Sequence, residues 1–192
     1  FFELFFKVYI NKIKNKLKTP IILITSKDHL LKQMKFFKYN FDLNLINLDD
    51  LKKKKINNKK INIINVNFNF KKVFDKISNK SNKYINDCFK IALKLLNEKS
   101  AFALINGPVS KTHFLEKKYL GITEYLAKKT KSKKNPTMLI YNSSFSVCPI
   151  TTHVPINRVT KNLSIEKIVR DVTSINYFYK EKLKRKPKFA IL

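Results

Sequence analysis

Glycine is nearly absent from this chain, with only Gly107 and Gly121 in 192 residues, where average usage of about 7% would give roughly thirteen. So few glycines exclude both a Gly-x-Gly-x-x-Gly dinucleotide loop and a Walker A phosphate loop. Cysteine is equally sparse: Cys88 and Cys148 stand far apart with no Cys-x-x-Cys. That excludes a disulfide framework and a closed thiolate zinc site, and fits a reducing cytoplasm. No apolar stretch reaches the roughly 18 residues of a membrane span, so no membrane partner is expected. The opening Phe1 to Ile10 is apolar, but its lysines follow the apolar run instead of preceding it, unlike a secretory signal. The chain begins on Phe1 without Met and stops in an apolar Phe189-Ala190-Ile191-Leu192 that looks like a strand starting. It is read as a piece cut at both ends, residues 1–192 being part of a single domain.

Acidic residues are also few, 13 against 41 Lys and Arg, for a net charge of +28. Such a balance ordinarily suggests nucleic acid, since dense cations release counterions from phosphates. Yet the only arginines are Arg158, Arg170 and Arg185, and lysine is the poorer residue for bidentate phosphate or guanine contacts. The excess lies in Lys, Asn, Ile and Phe together, which share A/T-rich codons. The longest basic run, Lys52 to Lys55, has no interleaved aromatics to stack bases and is expected to be a solvated loop. Nucleic-acid affinity is therefore expected to be weak and sequence-blind.

What the chain has in plenty is apolar surface: hydrophobic residues make up 44%, with 16 Phe and 8 Tyr. That supports a packed core and excludes disorder. Phe2, Phe5, Phe6, Tyr9, Ile10 and Ile13 recur at helical spacing, Pro20 stops the helix, and Ile21 to Ile24 is a short apolar run typical of a buried parallel strand. Ser26 caps a helix with Leu30, Leu31, Met34 and Phe37 on one face. Leu43 to Leu48 and Ile61 to Val66 read as strands. Ser81 caps a second helix whose stripe is Ile85, Cys88, Phe89, Ala92, Leu95 and Leu96. Ala101 to Ile105, Thr137 to Tyr141 and Ser146 to Ile150 read as further strands, a short helix is expected around Phe114 and Leu115, another runs to Lys129, and a long one spans Ser164 to Leu183. Strands alternating with helices indicate an α/β layered domain with a largely parallel sheet.

Both glycines fall just after the strand at Ala101, in Asn106-Gly107-Pro108-Val109-Ser110-Lys111 and Gly121-Ile122-Thr123-Glu124. Ligands in open α/β sheets bind beyond the carboxyl ends of strands. Lys111 can pair with a phosphate or carboxylate, and the Thr123 hydroxyl at a helix start can donate to an anion or simply cap the helix. Cys88 sits in a core stripe and reads as a small buried residue. His29 reads as a helix-start residue and His113 as lying on the exposed side of a short helix, both structural or solvated. His153, in Thr151-Thr152-His153-Val154-Pro155, sits on a strand-end loop suited to a metal ligand or acid/base as well as to a structural role.

Taken together, Asn106 to Lys111, Gly121-Ile122-Thr123-Glu124-Tyr125 and Thr151 to Pro155 resemble, in order and spacing, the Gly-Pro-Ile/Val-x-Lys, Gly-His-Thr-Glu-Phe/Tyr and Thr-Thr-His-Leu-Pro motifs of the 4-hydroxythreonine-4-phosphate dehydrogenase family of pyridoxal 5'-phosphate biosynthesis. The resemblance is strong from about Asn106 onward and rests on strand and helix rhythm before it. It implies a three-layer α/β/α fold like that of isocitrate and isopropylmalate dehydrogenases, incomplete in this piece. It also implies a cytoplasmic homodimer with a shared active site, NAD bound without a glycine-rich fingerprint, and a divalent metal (Zn, Mg or Co) held by three histidines, of which His153 matches the first. Lys111 is carried over as catalytic, and Ile122 and Thr123 as substrate-binding. In the implied chemistry the metal polarises the C3 hydroxyl of 4-phosphohydroxy-L-threonine while hydride passes to NAD. The resulting β-keto acid loses carbon dioxide to give 3-amino-2-oxopropyl phosphate. Ile122 departs from the family's histidine and has no donor or acceptor, which keeps open a related four-carbon substrate such as threonate or erythronate phosphate. From another class, a basic non-catalytic nucleic-acid-binding domain is the alternative.

Overall fold

A computed structural model describes residues 1–51, 56–116, 118–131, 136–152 and 154–192, without the Asp50 side chain; the lysine run 52–55 and His153 lie outside the described residues. The chain divides into two compact units, Phe1–Lys118 and Tyr119–Leu192.

The first unit opens on the expected amphipathic helix, wound as α1 (Phe2–Val8), a π-turn (Tyr9–Ile13) and a last turn α2 (Lys14–Lys16). Phe6, Tyr9 and Ile13 are buried, whereas Ile10 is 44% exposed because the wider π-turn breaks the i, i+4 register. Strand β1 (Ile22–Thr25) follows Pro20, then helix α3 (Lys27–Phe36), with Ser26 accepting the His29 N–H as cap. Strand β2 (Leu43–Leu45) is shorter than the run that suggested it, and β3 (Ile61–Asn65) completes a parallel sheet of order β1-β3-β2.

Because β3 is central, both of its faces are covered, which is why it reads as an unbroken apolar run. Ile61 and Ile63 pack into a cluster with Phe6, Tyr9, Ile13, Leu30 and Met34 from the α1 and α3 side. Ile64 turns the other way, onto Ile46 and Leu95, and thus onto helix α4 (Asn82–Asn97). Helices on both faces make the three layers expected of an α/β domain. Phe89, Ala92 and Leu95 are the buried residues of the α4 stripe. Ser81 precedes α4 without capping it; its hydroxyl donates to Ser78 O instead.

Two buried asparagines close the amino-terminal edge of this sheet. Asn58 Nδ2 donates to Leu17 O and Thr19 O, both at 2.9 Å, and Asn58 Oδ1 accepts Ile21 N–H at 2.9 Å. Tyr9 donates its hydroxyl to Asn58 O. Asn62, inside β3, donates to Ile21 O and Asn57 O and accepts from Asn44 Nδ2. Every polar atom of these two amides has a partner, as burial demands.

Three expected strands are not strands. Ala101 to Ile105 forms no ladder among the described residues: Ala101 N–H bonds back to Leu95 O at the end of α4, and Phe102 and Ile105 are 74% and 81% exposed. Thr137 to Tyr141 and Ser146 to Ile150 reduce to one antiparallel bridge, Ile140 with Val147. An apolar run becomes a strand only where a neighbouring backbone completes its hydrogen bonds.

In the second unit, helix α5 (Ile122–Lys129) and helix α6 (Ile165–Phe178), extended by a π-turn (Tyr179–Leu183), match expectation, and Ser164 caps α6 by accepting Lys167 N–H. Its polar anchor is Asp171, 4% exposed, which accepts from Thr137 Oγ1 and from Arg170. No helix among the described residues is long and apolar enough to cross a membrane.

Asn58→Ala removes three side-chain bonds and strands two carbonyls and an N–H. We expect a loss of about 3 kcal/mol, read as a lower urea midpoint at unchanged slope. Burial pushes the Cys88 thiol up to about 11, a hydrogen bond from Tyr84 only partly opposing it. With so little thiolate near pH 8, iodoacetamide should modify Cys88 in the folded chain roughly a hundredfold more slowly than an unburied cysteine, the rate climbing as the pH rises toward that value. Equal rates for folded and urea-unfolded chain would contradict the burial.

Candidate functional site

The carboxyl ends of β1 and β3 carry hydroxyl and amide groups that already satisfy one another. Thr25 Oγ1 and Tyr84 OH share a hydrogen bond of 2.9 Å, Tyr84 OH also accepts Ser26 N–H, and Asn65 Oδ1 accepts Lys27 N–H. Burial raises the Tyr84 hydroxyl above its ordinary range, with the Thr25 bond opposing it, so this is a neutral clip between α4 and β1. His29, expected to be structural or solvated, is structural: its backbone N–H meets the Ser26 cap, Nε2 lies 3.0 Å from Val73 O, and Phe68 and Phe70 pack on the ring.

The loop 106–116 carries the first motif. Asn106 Nδ2 bonds Gly107 O, and a Cβ on Gly107 would come within 3.1 Å of the Phe1 ring, so a side chain there would push that ring aside. The expected short helix is a set of turns over 111–114, with Phe114 N–H closing onto Ser110 O at 2.9 Å. Phe114 and Leu115 are buried, and Phe114 stacks on Phe89 of α4. Asn82, the first residue of α4, donates to His113 O at 2.8 Å and to Glu116 Oε1 at 3.3 Å. The loop is therefore held against α4 by an apolar pair and an amide, and Lys111 stands exposed on it.

His113, expected on the exposed side of a short helix as a structural or solvated residue, is half-buried in a turn. Its Nδ1 lies 3.0 Å from Ser110 Oγ, which also accepts the His113 backbone N–H at 3.2 Å. The Ser-x-x-His spacing in a turn was the signal that could have found this pair.

In the second unit Gly121 precedes α5, Ile122 is its first residue and half-buried, and Thr123 its second and exposed. The N-cap Gly121 has no side chain to cap α5, and the Thr123 hydroxyl has no hydrogen-bond partner among the described residues. Lys111 belongs to the first unit and Ile122 and Thr123 to the second; each is placed within its own unit. Among the described residues no three His, Cys, Asp or Glu side chains converge.

Over 104 residues the chain is 40% identical to the 4-hydroxythreonine-4-phosphate dehydrogenase of Sulfurihydrogenibium sp. (strain YO3AOP1), covering 53% of this chain and 32% of that protein. The protein of the same name from Aquifex aeolicus (strain VF5) is 34% identical over 74 residues, 38% of this chain and 23% of that one. Crystal structures of 4-hydroxythreonine-4-phosphate dehydrogenases share the fold. That from Klebsiella pneumoniae superposes with a TM-score of 0.71 at 19% identity, over 85% of this chain and 51% of that one. That from Burkholderia phymatum gives 0.72 at 20%, over 85% and 50%. The chain thus spans about a third or less of the curated relatives' length and about half of the solved ones. The family model described as pyridoxal phosphate biosynthetic protein PdxA matches residues 16–192, and with nearly the whole sequence inside that match the chain belongs to the PdxA family.

Proposed function

We propose that the protein carrying this chain is an NAD-dependent, divalent-metal-assisted dehydrogenase that oxidises 4-phosphohydroxy-L-threonine for pyridoxal 5'-phosphate synthesis, and that residues 1–192 are part of one dehydrogenase domain. What carries the reading is the ordered set of three motifs, at Asn106, Gly121 and Thr151, inside a chain matched to the PdxA family from residue 16 onward. Relatives named as 4-hydroxythreonine-4-phosphate dehydrogenases support the reaction class.

The roles assigned to this chain follow from chemistry. Exposed Lys111 offers a cation to a phosphoryl or carboxylate oxygen, and Thr123 offers a hydroxyl at the start of α5. His153 is assigned as one metal ligand of the complete protein. A bound metal would supply Lewis acidity and NAD would accept the hydride; the chain's own task is to bind and orient the anionic substrate. A cytoplasmic homodimer with a shared site belongs to the same proposal.

Ile122 favours a second reading. Its aliphatic side chain can accept or donate nothing, so a substrate lacking the amino group, a threonate or erythronate phosphate, fits as well.

In the complete protein His153→Ala should lower both metal content and NADH formation, the latter by more than roughly a hundredfold, while leaving the metal-free unfolding midpoint nearly unchanged. Stoichiometric metal with near-normal turnover would remove His153 from the site. Ile122→His should raise turnover of 4-phosphohydroxy-L-threonine by about tenfold, the worth of one good hydrogen bond, if that is the substrate. A gain confined to neither phosphorylated acid, with lost stability, would make Ile122 a packing residue.

A further inference from the structure

We propose that His113 is an anion-binding residue: oriented by Ser110, its imidazole offers Nε2–H to a phosphoryl oxygen at the loop that also carries Lys111. Ser110 Oγ accepts the His113 backbone N–H at 3.2 Å and lies 3.0 Å from Nδ1. With one lone pair engaged, the hydroxyl hydrogen is free to donate to Nδ1, and in that arrangement the neutral ring carries its proton on Nε2. In the protonated ring Nδ1–H donates to the second lone pair of Ser110 Oγ, and Nε2–H is again a donor. Both forms present the same face to a ligand. Nε2 has no hydrogen-bond partner among the described residues, and the half-buried ring leaves it reachable.

The ring sits on a rigid base. Its carbonyl is held by Asn82, and the next two residues, Phe114 and Leu115, are buried at 7% and 1% exposure. Lys111 precedes it by two residues and makes no ion pair with a described residue. The nearest acid in sequence, Glu116, is engaged by Lys118 at 2.7 Å and by Asn82, and the Lys118 bond holds its carboxyl below the usual range. The one described carboxylate of the loop is thus already paired, while Lys111 and the His113 Nε2–H are donors, which suits an oxyanion. A phosphoryl group, with three equivalent oxygens, can meet an imidazole N–H and an ammonium on separate atoms. That this anion is the phosphate of the substrate rests on the dehydrogenase reading above; the capture of phosphate by His113 does not.

Two experiments separate those claims. In the complete protein with 15N-labelled histidine, inorganic phosphate at constant ionic strength should move the His113 Nε2 resonance saturably, with acetate doing much less. Ser110→Ala should weaken that binding by about tenfold, the loss of an orienting bond to the donor. A His113 resonance unmoved by phosphate, or moved equally by acetate, overturns the proposal. In the complete protein, His113→Ala should raise KM for the phosphorylated substrate about tenfold with kcat within a factor of about two, since the contact is present in ground and transition states alike. An unchanged KM overturns the assignment to substrate. Absence of NADH formation by the unaltered protein would instead overturn the dehydrogenase reading, and the phosphate titration then decides the role of His113.

Discussion

Burial of β3 on both faces is the constraint from which the first unit follows. Ile61 and Ile63 need the aromatic layer of α1 and the apolar face of α3, while Ile64 needs Leu95 of α4. Each helix is amphipathic because the central strand gives it one dry side to lie on. The cost of burying Asn62 in the same strand is offset by three hydrogen bonds, which bind β3 to β2, to the chain entering β1 and to the loop at Asn57 that precedes β3. Asn58 repeats the device one step earlier, tying the end of α2 to the start of β1. Polar side chains here set the register that apolar ones, being non-directional, leave free.

The loop that carries Lys111 inherits its position from that layer. Helix α4 is fixed on the sheet by Leu95 and by the Tyr84 clip to Thr25, and the loop is fixed on α4 by Phe89, Phe114 and Asn82. A rigid helix face presenting an irregular loop is the usual way a scaffold positions binding groups. The glycine at 107 lets the loop pass close to the Phe1 ring.

The large positive charge plays a smaller part than its size suggests. The ion pairs among the described residues are mostly exposed, such as Lys7 with Glu3 and Lys83 with Asp87, and such pairs contribute about 0–1 kcal/mol each. Asp171, buried and held by Thr137 and Arg170, is the exception that organises the second unit.

The sequence by itself determined the α/β class, the helices from Phe2, Ser26, Ser81 and Ser164, the strands at Ile22 and Ile61, and the three motifs that place the chain in its family. Those features are local: periodicity, caps, short apolar runs and ordered motif residues. Tertiary structure decided what depends on a neighbour. Ala101 to Ile105 has the composition of a strand but forms no ladder among the described residues, and Ile10 left its stripe where the helix widened. Phe114 became an anchor because Phe89 lay opposite. The Ser110–His113 pair was invisible to composition because a hydrogen bond between side chains depends on how the turn closes, and that closure is set by Phe114 and Asn82 packing and bonding against α4.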